Sequence, residues 1–402
     1  MSTKLGLKDI TIVPAVVSNI EHRSDCSPYV NIKYNPCSNN NMLPLIASPM
    51  AAVLNETNYK IFNKNGIFTV IPRTISLDKR VDLIFDTFVA FGLNEVIDIF
   101  INRNDYFHKI MNLIEYENKH RCYICIDIAN GHMKKLLDVI KTIKDAYGDS
   151  VIVMAGNIAN PETYKQYAIA GCDYVRAGIG VGAACTSSSN AAVHYPMASL
   201  LYDINKVKSN LIEYNNISKS NNITQLIKIP YIIADGGCTN FDDIIKCLAL
   251  GADFVMSGKL FAQAFESAGT IECSYNSSTI DILHKNNKLI SSDNVKNYLD
   301  SKLFDNFEII KQYSSEPYNV KFYKVYYGMS TKRAQTEMGN ESLKTAEGIE
   351  FKVPLLYTLH GWVDNFKHYL RSAMSYCNST HLNEFKPKTI QISQQAFNAY
   401  YK

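Results

Sequence analysis

The chain has 402 residues, 47% of them hydrophobic and 20% charged, which is typical of a folded globular protein. Its formal net charge of +3 gives no electrostatic reason to expect a nucleic acid as partner. No apolar run approaches the roughly 20 residues that span a bilayer, and the N-terminus lacks the apolar stretch of a secretory signal. We therefore expect a cytoplasmic protein that does not associate with membranes.

Short apolar runs alternate with amphipathic stretches of helical length. The runs are nearly continuous in apolar residues, as expected for strands of a parallel sheet that is buried on both faces. The clearest helical stretches are 77–92, 132–148 and 161–172. The eight predicted strands are 43–48, 66–72, 94–100, 122–129, 150–157, 172–179, 229–237 and 252–258.

The residues that end these runs favour a closed barrel over an open, doubly wound sheet. Nearly every run ends in small, polar or glycine residues, such as SPM, DIANG and ADGG. In a (β/α)8 barrel these ends meet on one face, where active sites are built. We therefore predict an α/β fold, a TIM barrel, as a single domain over residues 1–402. Outside the barrel we expect an N-terminal segment (1–42), a polar, irregular insertion after the eighth strand (266–325), and a short flap with a helical tail (326–402).

The ten cysteines lie mostly in apolar runs, which is typical of reduced, buried thiols rather than a disulfide framework. Cys122 and Cys125 form a CxxC motif, but it lies inside one predicted strand. Because side chains alternate along a strand, a spacing of three places the two sulfurs on opposite faces. A metal or redox pair is therefore not expected there.

Glycine-rich turns follow the sixth, seventh and eighth predicted strands. Their backbone N–H groups can cradle an anion, and a phosphate site after the last strands is common in this barrel. Asp235 lies among these turns, and because a carboxylate would repel phosphate, we expect it to accept hydrogen bonds from ribose hydroxyls. The three turns together predict a phosphate-bearing ligand. Their residues are Gly180, Gly182, Gly236, Gly237, Ser257 and Gly258.

One cysteine differs from the others in its position. A free cysteine is most often a buried small hydrophobe, which we expect for Cys172, Cys238 and Cys247. Cys185 instead follows a glycine-rich loop, on the face where the strand ends meet, and precedes four hydroxyl residues. A thiolate there could attack an electron-poor carbon of the ligand held by the phosphate turns.

The loop GIGVGAACTS (178–187), followed by HYP, resembles the catalytic loop of the inosine monophosphate (IMP) dehydrogenase and guanosine monophosphate (GMP) reductase family, usually GIGxGSxCTTR followed by GYP. SPM, AGN, ADGG, SGK and YYGMS (326–330) match the same family in the same order. The resemblance implies a TIM barrel, a purine nucleoside monophosphate substrate, a nicotinamide cofactor and a covalent thioimidate at the purine C2. It also implies a homotetramer.

Three features of the sequence resemble the reductase branch. No regulatory domain pair is inserted between the early strands, DIANGH (127–132) resembles the reductase DVANGY rather than the dehydrogenase DSSQG, and the flap is short and ends in AEGIEFKVP (346–354). The branch implies NADPH-dependent conversion of GMP to IMP and ammonia.

The resemblance also implies roles for single residues. Cys185 takes the place of the nucleophile, Ser187 that of the catalytic threonine, and Glu347 that of the acidic partner that helps ammonia to leave. Without the resemblance, Glu347 would be interpreted as a solvated loop acid. The remaining implied sites are Asp127, Asn157 and Arg73 for the cofactor, Met329 and Ser330 for the base, and the carbonyls of Gly180, Gly182 and Cys185 for a monovalent cation such as K+.

The chain also departs from the family pattern. Ser188 stands where the family has arginine, Ala183 where it has serine, Ala51 where it has aspartate, and Ile349 where reductases have lysine. These departures leave open a divergent dehydrogenase that oxidises IMP to XMP with NAD, a reductase that takes a deoxynucleotide, and a barrel that binds purine nucleotide without turnover. His132 and His194 are interpreted as polar residues at loop edges.

Overall fold

A closed barrel of eight parallel strands in chain order forms the centre of the computed structural model, so the predicted (β/α)8 fold is confirmed. The structure describes residues 3–37, 39–116, 121–221, 226–274, 307–316, 318–339, 345 and 347–400. The strands are β1 (Ile10–Ile12), β2 (Leu45–Ala47), β3 (Phe68–Ile71), β4 (Phe88–Phe91), β5 (Cys122–Asp127), β6 (Val151–Ile158), β7 (Tyr174–Ala177), β8 (Tyr231–Asp235), β9 (Phe254–Ser257), β10 (Ile271–Ser274), β11 (Lys321–Tyr327), β12 (Glu350–Pro354) and β13 (Thr389–Gln391).

Strands β2 to β9 form the barrel, and helices alternate with them along the chain. Among the described residues no helix is both long and apolar enough to cross a membrane. The α-helices are Tyr59–Lys64, Leu77–Leu83, Leu93–Val96, Asp105–Tyr116, Lys134–Tyr147, Pro161–Ile169, Ser187–Ala191, Met197–Ser220, Phe241–Ala249, Lys259–Ala262, Phe307–Ser314, Lys332–Glu337, Leu359–Tyr376 and Gln394–Tyr400.

The third barrel strand is not where the sequence predicts it. Residues 94–100 lie in the helix Leu93–Val96 and in a π-helical turn, Ile97–Ile101, whereas β4 lies earlier, inside the predicted helix 77–92. All of β4 is buried, and so are Val96, Ile99 and Phe100 of the second run, so the presence of buried apolar residues alone does not distinguish strand from helix. The main-chain N–H of Gly92 donates to the Glu95 carboxylate (2.6 Å), which caps the helix directly after β4.

Alternate residues of each strand point into or out of the barrel. On β5, Tyr123 and Cys125 belong to the interior cluster, whereas Cys122, Ile124 and Ile126 pack against the surrounding helices. The two cysteines of the CxxC motif therefore lie on opposite faces, as predicted.

An ion cluster lies at the amino-terminal end of the barrel. Asp173, directly before β7, is 4% exposed and pairs with Lys144 (2.9 Å) and with Lys228. It also accepts a hydrogen bond from the main-chain N–H of Val153 (2.8 Å). Cys37 and Met42, from the segment before β2, pack into the interior cluster, so side chains fill this end of the barrel.

The chain after β9 adds a small antiparallel sheet in the order β10–β11–β12. Residues 266–325 are therefore not irregular throughout, because β10, the helix Phe307–Ser314 and most of β11 fall inside this predicted insertion. Residues 275–306 and 317 of the insertion lie outside the described part of the chain. The terminal strands β1 and β13 pair antiparallel, away from the barrel sheet.

Candidate active site

The predicted phosphate turns lie against one another at the carboxyl-terminal end of the barrel. Gly236 has a left-handed φ of 92°, and a Cβ there would lie 3.1 Å from the amide nitrogen of Gly182, so the turns after β7 and β8 are in close contact. Gly258 packs against Met50 and Tyr326, which joins the turn after β9 to the SPM loop and to the end of β11. The turns thus present their backbone at a common place, as an anion site requires.

The loop that contains Cys185 is joined to the flap by main-chain hydrogen bonds. The N–H of Thr186 donates to the carbonyl of Glu347 (3.0 Å), and the N–H of Ile349 donates to the carbonyl of Ala184 (3.0 Å). Cys185 and Gly348 consequently form an antiparallel bridge. This bridge brings Glu347 next to Cys185 although 162 positions separate them in the sequence (347 − 185).

The thiol of Cys185 is half-buried and lies 3.4 Å from the hydroxyl oxygen of Ser187. The barrel cysteines differ, because burial raises the pKa of Cys122, Cys125 and Cys172 to about 12. A thiolate is the reactive form of cysteine. Cys185 is therefore better placed for nucleophilic chemistry than these buried thiols.

The loop after β11 lies against the same bridge. A Cβ at Gly348 would lie 2.9 Å from the hydroxyl oxygen of Ser330 and 3.1 Å from the carbonyl of Ala184, so a larger residue there would crowd both groups. The predicted base-binding residues Met329 and Ser330 are thereby placed beside the loop of Cys185. The side chain of Glu347 is exposed.

Sequence reasoning missed Arg176, a charged residue at the centre of the site. Its guanidinium contacts Asp127 on β5 (2.5 Å) and Asp235 on β8 (2.8 Å), although it projects from β7. Burial opposes its charge, but the two aspartates outweigh this effect and raise its pKa. The signal in the sequence is an arginine within an otherwise apolar barrel strand, which requires a buried partner.

Asn157 belongs to the same network. Its amide nitrogen donates to the carbonyl of Gly178 (2.8 Å) and to Asp235 (2.7 Å). The structure thus joins the predicted cofactor residues Asp127 and Asn157 to the predicted ribose acceptor Asp235. Arg73 lies at the end of β3, where its guanidinium faces Glu95 (3.6 Å) and Gly92, two residues outside the predicted site.

The two histidines differ in their contacts. His194 is exposed after the short helix that follows Cys185. His132 is also exposed, but its Nε2 accepts a hydrogen bond from the main-chain N–H of Ala159 (3.0 Å) and its Nδ1 lies 3.0 Å from the hydroxyl of Thr163. Nδ1 therefore carries the proton, and the ring connects the loops that follow β5 and β6.

These groups together can hold a nucleotide and act on its base. Main-chain N–H groups of the turns suit a phosphate, the carboxylates beside Arg176 suit hydroxyl groups, and the thiol suits attack on carbon. Within the described residues, no cluster of three or more His, Cys, Asp or Glu side chains is arranged to hold a metal ion.

Comparison with known proteins gives a consistent result. A family model described as "IMP dehydrogenase / GMP reductase domain" matches residues 99–281. A GMP reductase from Caenorhabditis elegans is 26% identical, over 99% of this chain and 94% of that protein. A GMP reductase from Vibrio campbellii is 24% identical over 99% of this chain and 98% of its own length, and one from Buchnera aphidicola is 27% identical over 99% and 97%.

These matches confirm the resemblance seen in the motifs. They extend over nearly the whole chain, whereas the motifs occupy only the loops at one end of the barrel. The chain is therefore similar, over nearly its whole length, to proteins of the IMP dehydrogenase / GMP reductase family.

Proposed function

We propose that the protein is a GMP reductase, which converts GMP to IMP and ammonia with NADPH as reductant. The observation that supports this most directly is the main-chain bridge between the loop of Cys185 and the segment of Glu347. The bridge places a thiol, the hydroxyl of Ser187 and a carboxylate on adjoining stretches of chain. Reductive removal of an amino group needs two functions: a nucleophile, which the thiol provides, and a relay that supplies a proton, which the hydroxyl and the carboxylate provide.

In the proposed reaction the thiolate of Cys185 bonds to C2 of the guanine base. The bond from C2 to the exocyclic nitrogen then breaks, and this nitrogen takes a proton through Ser187 and Glu347 and leaves as ammonia. A thioimidate between Cys185 and C2 remains. A nicotinamide cofactor, when bound, would supply the hydride that C2 needs. The carbon–sulfur bond then breaks, which returns the thiolate and gives IMP.

The substrate is held by its phosphate and ribose. The N–H groups of Gly182 and Gly237 bind the phosphate, with Ser257 and Gly258 closing the opposite side. Gly236 shapes the turn between them, and its own N–H donates to the carbonyl of Met256 (3.3 Å). Asp235 accepts the ribose hydroxyls, and it is held in place for this by Arg176 and Asn157. Met329 and Ser330 contact the base.

The residues present fit a nicotinamide nucleotide next to this substrate. Asp127 is 17% exposed beside Arg176, so its carboxylate can accept a ribose hydroxyl. Asn157 uses its amide N–H groups within the protein, which leaves its carbonyl oxygen as an acceptor for a carboxamide N–H. Arg73 adds positive charge at the end of β3. The carbonyls of Gly180, Gly182 and Cys185 would hold a monovalent cation such as K+.

Further properties of the family are part of the same proposal. We carry over a homotetramer from the resemblance, and we keep the cytoplasmic location and the single domain over residues 1–402 that the sequence pattern predicts. The DIANGH sequence and the short flap support the reductase branch over the dehydrogenase branch.

The proposal predicts that the purified protein consumes NADPH in the presence of GMP and releases one ammonia for each NADPH oxidised. The loss of reduced-nicotinamide absorbance measures NADPH consumption, and an ammonia assay run in parallel measures product release. Formation of NADH from IMP and NAD, without the first reaction, would instead show a dehydrogenase. Binding of GMP or IMP by calorimetry with no turnover in either direction would show a barrel that only binds nucleotide. Assay with 2′-deoxy-GMP in place of GMP tests whether the substrate is a deoxynucleotide.

A further inference from the structure

Lys324 is a buried lysine that pairs with backbone instead of with a carboxylate. It lies on β11 and is 1% exposed. Its Nζ donates to the main-chain carbonyls of Phe265 (2.8 Å) and Ser267 (2.5 Å). In the described part of the chain the hydrogen bonds of this nitrogen go to these two carbonyls and to no carboxylate. An ammonium group without a counter-ion is costly in such a place.

The number of acceptors matches the neutral amine and not the ammonium ion. A neutral lysine has two N–H donors, and the structure supplies two carbonyls. The ammonium ion has a third N–H, which would need a further acceptor. Burial also lowers the pKa of Lys324 to about 7, an effect that the field of Glu266 partly opposes.

The charged groups around Lys324 are already paired with other residues. Glu266 accepts a hydrogen bond from the main-chain N–H of Leu359 (2.8 Å). On the adjoining strands, Glu272 of β10 pairs with Lys352 of β12 (2.6 Å). The residues directly opposite Lys324 in the sheet are apolar, namely Ile271 and Val353. Among the described residues nearby, no free carboxylate therefore stabilises the positive charge that Lys324 gains when it is protonated.

Lys324 joins the small sheet to the barrel. The segment that it binds is itself fixed to the loop after β2, because the N–H groups of Ala268 and Gly269 donate to the carbonyls of Val53 and Ala52 (3.0 Å each). From Lys324, β11 continues into the loop of Met329 and Ser330, and β12 leads back to Glu347. The position of both catalytic loops thus depends on how this sheet sits on the barrel.

We propose that Lys324 is a positioning residue whose neutral amine holds the sheet β10–β12 against the barrel, and whose protonation loosens this contact and lowers turnover. Lys324 touches neither substrate nor cofactor and acts through the loops that it places. The proposal rests on the proposed reductase function for its kinetic part. The acid side of the pH profile should accordingly contain the titration of Lys324.

The test compares wild type with Lys324→Gln and Lys324→Met over pH 6 to 9, with pH values chosen around the value of about 7 for Lys324. Glutamine offers two N–H donors without a titratable charge, whereas methionine fills the space and offers none. In the wild type, turnover at one pH unit below that pKa should fall about tenfold, as for loss of one essential neutral group. Lys324→Gln should lose this part of the pH dependence, and Lys324→Met should be slow at every pH.

A second readout does not depend on turnover. Hydrogen exchange of the amides in 265–269 and 321–327 is compared between wild type and Lys324→Gln at each pH, so that intrinsic exchange cancels. Faster wild-type exchange below the pKa of Lys324 supports the proposal, even if GMP reduction is not found. Equal exchange at all pH values, or an acid limb that Lys324→Gln retains, overturns it.

Discussion

The two ends of strand β7 carry buried ion clusters of opposite design. At the amino-terminal end, one aspartate, Asp173, lies between two lysines, Lys144 and Lys228. At the carboxyl-terminal end, one arginine, Arg176, lies between two aspartates, Asp127 and Asp235.

The clusters differ in whether their carboxylate oxygens remain accessible to a ligand. Asp173 is 4% exposed, and its oxygens are used by lysines and by a backbone amide. The side chains of Asp127 and Asp235 remain 17% and 11% exposed. Asp235 also accepts a hydrogen bond from the side-chain amide of Asn157. The first cluster completes the fold, whereas the second has acceptor capacity that a ligand can use. Under the proposed function, the same type of interaction serves stability at one end and ligand binding at the other.

The largest effect is expected for Cys185→Ala, at the carboxyl-terminal end. Loss of the nucleophile should lower turnover by at least about 10⁴-fold, because no other described thiol lies in this loop. Binding of GMP by calorimetry and the thermal midpoint should stay close to those of wild type. Cys122→Ala, on the helix-facing side of β5, is the matched control and should change stability more than chemistry. Retained turnover in Cys185→Ala would refute the assigned nucleophile.

Arg176→Gln should affect both stability and binding. The change leaves two carboxylates close together without their cation, and breaking a buried pair in this way costs about 3–5 kcal/mol. Urea unfolding measures the loss of stability. Calorimetry should show weaker nucleotide binding as well, since Asp235 loses the guanidinium that positions it. Normal stability with intact binding would mean that the two aspartates do not need Arg176.

Asp173→Asn tests the ion cluster at the amino-terminal end of β7. The substitution keeps the shape of the side chain but removes the negative charge between Lys144 and Lys228. Lys228 is 33% exposed and can reach water. We expect a smaller loss of stability than for Arg176→Gln, about 2–3 kcal/mol. The kcat and KM values at a temperature where the variant is folded should match those of wild type. A change in KM would show that the two ends are coupled.

The sequence predicted seven of the eight barrel strands because their apolar runs end in recognisable turns. The third strand was missed since β4 and the π-helical turn Ile97–Ile101 are similarly apolar, and only the cap formed by Gly92 and Glu95 marks the boundary between them. The regular ends of the insertion were missed for a related reason. Strands β10 and β11 pair with each other across a long separation that no local pattern reveals.

The site was predictable to the extent that it consists of motifs. The glycine turns, Cys185 and the DIANG and AGN loops could be recognised, and the structure brings them to one end of the barrel. Arg176 and Lys324 could not be assigned, because their importance depends on partners about 50 or more positions away in the chain. A charged residue within a strand indicates that a partner exists but does not identify it.

The bridge between Cys185 and Gly348 has a consequence for which changes the site can accept. Amides and carbonyls make this contact, so Ala183, Ser187 and Ile349 can stand in place of bulkier or more polar groups while the spacing of the chain is kept. Deletion of one residue between Gly178 and Cys185 would rotate the thiol to the other side of the loop and break the pairing. The enzyme should therefore withstand exchange of side chains around its nucleophile far better than any change in the length of that loop.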